Sequence, residues 1–116
     1  MPRQLLAIQA LPHDSNTPLP PSYVAATAGG EEFINDTFTF LHIKNSGGSD
    51  REVTVVHPGT QDGLEIADYT ATIPTGGEIM TRTFNNRFNQ AGGIKVHIDW
   101  DDHTGLTVAA ISVRRF

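Results

Sequence analysis

An all-β fold, an antiparallel β-sandwich of about seven strands, is what this sequence predicts, with an open barrel as second choice. Three observations carry that reading. Short runs rich in Thr, Val, Ile and Phe recur along the 116 residues. Glycine doublets at Gly29–Gly30, Gly47–Gly48, Gly76–Gly77 and Gly92–Gly93 punctuate them. No segment holds a convincing helical period, although Gln61 to Ala67 could form one short turn. Glycine accepts positive φ, so doublets between β-forming runs mark places where the chain reverses.

The elements follow in order. Residues 1–21 hold five of the seven prolines and read as an extended arm, with two readings open: an unstructured leader, or a segment ordered against a neighbour or the chain's own body. Leu5, Leu6, Ile8 and Leu11 give it apolar anchors. The sandwich domain then spans 22–116. Tyr23 to Thr27 is a short first strand, and Gly29–Gly30 opens the loop before the next. Thr37 to Lys44 is apolar on both faces, the mark of a central strand. Arg51 to His57 ends at Pro58. Tyr69, Ala71 and Ile73 alternate with threonines, as a half-buried strand requires. Glu78 to Phe84 follows the Pro74-Thr-Gly-Gly turn. Ile94, Val96, Ile98 and Trp100 alternate with Lys95, His97, Asp99 and Asp101. A hairpin loop, Asp101 to Gly105, leads to a last strand from Leu106 to Val113.

Composition narrows function mainly by exclusion. The net charge is −5 and the eight basic residues are scattered, which argues against a nucleic-acid partner. Cysteine is absent, so disulfides, thiolate metal sites and thiol catalysis are excluded. No apolar run reaches membrane-span length, and the first residues are too weak for a secretion signal, so synthesis in the cytoplasm is expected.

Candidate chemistry is sparse. His97, Asp99 and Asp101 share the outward face of one strand, yet their spacing fits no closed zinc or calcium signature. A solvated strand face is the expectation, with Lys95 and Asp99 weakly paired across it. His42 and His57 sit in apolar strands and are expected to be hydrogen-bonded structural histidines. There is no Gly-x-Ser-x-Gly elbow and no phosphate loop, so neither catalysis nor a cofactor or metal is expected. Trp100, Phe84, Phe88 and Tyr69 could form a sugar-stacking platform, but on strands such rings are more often core. The stretch Phe84 to Gln90 combines two aromatics, an arginine and four amides. Two readings stay open for it: a partner-contact loop built on Phe84, Arg87 and Phe88, or a loop anchored by its own aromatics in the core.

Taken in order, Thr39-Phe-Leu-His-Ile-Lys-Asn45, Val53-Thr-Val-Val56, Asp62-Gly-Leu64, Ala67-Asp68, Ile73-Pro-Thr-Gly-Gly-Glu78, the Phe84–Asn89 loop and Gly105-Leu-Thr-Val-Ala-Ala-Ile111 resemble small tailed-bacteriophage virion proteins. The resemblance covers about residues 22 to 113 and points to head decoration or minor capsid proteins. It implies a non-enzymatic protein on the virion's capsid surface that binds the major capsid protein and stabilises the shell, as a homo-oligomer and more particularly a trimer. A head–tail connector or tail component of the same virion is the nearest alternative. A carbohydrate-binding β-sandwich module is the alternative from another class.

Overall fold

The computed structural model describes residues 3–10, 23–58, 60–61, 64–65, 68–90 and 93–112. Within them the chain is all-β, with two five-stranded sheets packed face to face and no closed barrel. The strands are β1 (Gln4–Leu5), β2 (Ile8–Ala10), β3 (Val24–Ala25), β4 (Glu31–Ile34), β5 (Thr39–Asn45), β6 (Arg51–Val55), β7 (Thr60–Gln61), β8 (Leu64–Glu65), β9 (Tyr69–Ile73), β10 (Glu78–Met80), β11 (Lys95–Trp100) and β12 (Leu106–Ser112). The first sheet has the order β1-β4-β11-β6-β9. The second has β10-β5-β12-β2, and β3 also lies along β12. A small hairpin, β7-β8, stands between β6 and β9 in the chain.

The sandwich and the central place of the Thr39–Asn45 strand stand as the sequence predicts, flanked by β10 and β12. All seven expected strands are present, as β3, β5, β6, β9, β10, β11 and β12. Alternation along β9 is as read: Ile73 is buried, Tyr69 and Ala71 are half-buried, and Thr70 and Thr72 face water. The core joins Phe33, Val53, Val55, Ile73, Val96 and Ile98 of the first sheet to Leu41, Ile43, Leu106, Val108 and Ala110 of the second.

Connectivity differs from expectation. Asp101 to Gly105 is not a hairpin loop, because β11 belongs to the first sheet and β12 to the second. The turns at Gly47–Gly48 and Gly76–Gly77 likewise carry the chain from one layer to the other. A hairpin and an interlayer arch need the same turn residues, so glycine doublets cannot distinguish them. Gly29–Gly30 does not open directly onto the central strand either. Gly30 has φ 85° and closes a turn, with its N–H donating to Thr27 O at 3.1 Å, that feeds the unforeseen strand β4. Around Asn86–Phe88 there is one turn of 3-10 helix. The short helical turn considered for 61–67 is replaced at Gln61, Leu64 and Glu65 by the β7-β8 pairing.

For the leader, order against the chain's own body is the alternative that residues 3–10 show. Residues 3–10 are part of the sandwich and not an arm outside it. Gln4 N–H donates to Gly30 O at 3.1 Å and Leu6 N–H to Glu32 O at 2.8 Å, so β1 runs parallel to β4 in the first sheet. Two residues later β2 runs parallel to β12 in the second sheet, Ile8 opposite Ala110. Leu6, 4% exposed, sits where the segment crosses between layers. Burying that side chain contributes about 2 kcal/mol, which helps hold two- and three-residue strands that alone would be unstable. Residues 3–10, expected in an arm ahead of the 22–116 domain, thus pair with strands of that domain, while residues 11–22 lie outside those described.

Candidate interaction surface

The seven residues expected to make contacts separate sharply by burial. Phe84 is fully buried, its ring 6.3 Å from Phe33, 5.4 Å from Tyr69 and 5.2 Å from Phe88. Phe88 is also buried and stands edge-on to His57 at 4.9 Å. The loop's aromatics therefore fill the core, and of the contact set Phe84, Arg87 and Phe88 only Arg87 is exposed. The loop is held by Asn85, whose Oδ1 accepts from Arg87 N–H at 2.9 Å, and by Asn35, whose Nδ2 donates to Asn85 O and Asn89 Oδ1. Leu6 is core and Ile8 is half-buried against it, so both anchor the segment to its own body. Leu5 is 53% exposed. Leu11 lies outside the described residues.

Exposed apolar side chains occur on both sheets, Met80 of β10 and Val24 of β3 among them, and two that line a common groove lie on the outer face of the first sheet. Ile34 is 43% exposed and Ile94 is 55% exposed, and they line one open groove of about 510 Å³ with Glu32, Gln90, Gly93, Lys95 and His97. Strand alternation places this face: Glu31 and Phe33 point inward from β4, so Glu32 and Ile34 point out. Leu5 stands beside Glu32 in the register of β1 with β4. Ile94 was expected to continue the inward row of Val96 and Ile98, but β11 begins at Lys95 and Ile94 turns outward ahead of it.

The polar floor of this face is tightly paired. Lys95 Nζ lies 3.1 Å from Glu32 Oε2, and Arg3 Nη1 lies 2.7 Å from Asp99 Oδ1 and donates to Ile98 O at 2.9 Å. Lys95 and Asp99 thus each have another partner, contrary to the expected pairing between them. His97 Nε2 is 3.9 Å from Glu32 Oε1. Burial and the Arg3 guanidinium hold the His97 imidazole below its ordinary pKa against the pull of Glu32 and Asp99, so it is neutral at pH 7. Gln90 adds a buried side-chain amide nitrogen with no hydrogen-bond partner among the described residues. A buried unpaired amide costs about 1–3 kcal/mol.

Two further polar clusters are structural. Glu31 is fully buried, and its carboxyl accepts from Thr27 N–H at 3.0 Å, from Thr27 Oγ1 at 2.9 Å and from Trp100 Nε1. Trp100 is partly buried against the core, and Tyr69 packs there too. The four aromatics considered for a sugar platform are thus core or core-flanking. His42 bonds Tyr23 Oη through Nδ1 and lies 3.0 Å from Glu78 Oε1 through Nε2, with Lys44 Nζ 4.2 Å from the Tyr23 ring centroid. Burial, and then the nearby Glu78, raise the Tyr23 phenol above its ordinary value, the reverse of what an activated phenolate needs. Among the described residues no group of His, Asp and Glu is arranged to hold a metal ion.

Ile34, Ile94, Glu32 and Gln90 are the surface residues that the sequence did not single out. The one available signal was Ile34 itself, an apolar residue directly after inward Phe33 and so on the opposite face. No protein family, curated protein or solved structure matches the chain.

Proposed function

We propose that this chain is a non-enzymatic structural protein of a bacteriophage virion, one that binds the outer surface of the assembled capsid and stabilises it. The observation that carries the contact part of this reading is the outer-face groove, where Ile34 and Ile94 stand exposed above the Glu32, Lys95 and His97 side chains. Exposed aliphatic walls rimmed by charged side chains suit a protein partner that supplies an apolar side chain to the groove. The virion and capsid part rests on the ordered sequence resemblance over residues 22 to 113. A rigid sandwich is compatible with both, since a shell protein gains strength from many weak identical contacts.

The test is a cryo-EM map of particles produced from the genome that encodes the chain. Density for many copies over the shell, with the Ile34–Ile94 groove against capsid subunits, is the expected result. A few copies at one vertex would replace decoration with a connector role, and absence from the particle would overturn the proposal. An Ile34→Glu/Ile94→Glu variant should fold, since both side chains are exposed, and should fail to join the particle.

A further inference from the structure

We infer that β9 is a self-association edge, and that two copies of this chain pair antiparallel through it about Ala71. Tyr69–Ile73 pairs with β6 on one side, and no described strand lies on the other. An open edge is normally blunted by charge, proline, a bulge or short length, because its free N–H and C=O groups template further pairing. The other described edges carry such devices. β1 has two residues and lies next to the Arg3–Asp99 ion pair; β10 has three and begins at exposed Glu78; β2 has three. In contrast β9 runs for five residues, Tyr-Thr-Ala-Thr-Ile, with no charge, no proline and an unbroken register against β6.

The strand is also its own complement, and this selects a second copy as the occupant. Antiparallel pairing centred on Ala71 is the in-line arrangement that uses all five residues. It sets Thr70 opposite the other copy's Thr72, and Tyr69 opposite the other copy's Ile73. Facing threonines are a favourable cross-strand pair on the solvent side. The inner row of Tyr69, Ala71 and Ile73 would continue without a break into the second copy. At the ends exposed Asp68, whose Oδ1 accepts from His57 N–H at 2.7 Å, would face Pro74, so no like charges meet. An antiparallel edge pair is isologous and closes after two copies. This departs from the threefold assembly that the resemblance implies, and it needs no capsid.

The experiment is sedimentation equilibrium on the full chain across a concentration series, with two charge variants. Thr70→Lys/Thr72→Lys sets lysine against lysine at both facing positions, whereas Thr70→Lys/Thr72→Glu sets lysine against glutamate at both. Wild type should dimerise, the double-lysine variant should self-associate about tenfold more weakly or not at all, and the lysine–glutamate variant should dimerise again. Equal thermal melting of dilute monomers controls for folding. A monomeric or trimeric wild type, or a double-lysine variant that dimerises as well as wild type, overturns the inference. Failure of the lysine–glutamate variant to recover overturns the register about Ala71.

Discussion

Gly105 and Gly47 meet backbone to backbone where two of the interlayer turns touch. A Cβ placed on Gly105 would lie 2.8 Å from both Cα and N of Gly47, and Gly105 holds φ 81°. Ser46 N–H donates to Gly105 O at 2.9 Å across the same contact. Gly105→Ala should therefore cost about 2 kcal/mol or more, since it combines a left-handed backbone with a clash against main chain. Urea unfolding measures this. Gly48→Ala, which meets nothing within 4 Å, should change stability by less than about 0.5 kcal/mol. Equal effects at the two sites would contradict the close approach.

Leu5 and Leu6 make a paired test of the leader's role. Leu6→Ala should destabilise by about 2–5 kcal/mol because it empties a buried position between the sheets. Leu5→Ala, on a half-exposed side chain, should stay within about 0.5 kcal/mol. Removal of residues 1–10 should lower the melting temperature sharply, because β1 and β2 are strands of the two sheets.

Trp100 is the sole tryptophan, so its bond to buried Glu31 can be followed by fluorescence. Glu31→Ala strands the indole N–H and the Thr27 backbone N–H, while Thr27 Oγ1 keeps Gly30 O at 2.8 Å, and should cost about 3 kcal/mol with a shifted emission maximum. Trp100→Phe should cost less, because the Glu31 carboxyl keeps Thr27. A double-mutant cycle that shows no coupling would contradict the bond.

His97 gives a pH signature with a definite sign. Its folded pKa lies below the ordinary 6.5, so the unfolded chain takes up the proton first as pH falls. Its contribution is complete above about 6.5 and is lost progressively as pH falls from there towards the lowered folded value. Glu32 and Asp99 oppose that depression, and Arg3 and Lys95 reinforce it. In His97→Gln the decline of stability just below pH 6.5 should be shallower than in wild type. A steeper decline would reverse the sign.

Long alternating strands were legible because their inward rows repeat every second residue, as along β9 and along Val96 and Ile98 of β11. β4 escaped notice because its inward residue at one end is Glu31, a carboxyl that only a three-dimensional set of donors makes tolerable in a core. β1 and β2 escaped because parallel strands of two and three residues leave no periodicity to read. Phe84 and Phe88 could not be placed beforehand, since aromatic residues suit a core and an interface alike. The groove depends on where β11 begins, and a boundary shift of one residue turned Ile94 from core to surface.

The parallel seat of Ile8 beside Ala110 has a consequence for synthesis. On the ribosome Leu6 and Ile8 are made early, yet the strand that receives β2 is complete only about a hundred residues later. All strands of the first sheet are made by Trp100, whereas the second sheet must wait for β12, its central partner for β2, β3 and β5. At translation rates of about 5–20 residues per second, the leader waits several seconds with its apolar side chains unprotected. Folding of this body should then be slow, governed by distant pairings made last.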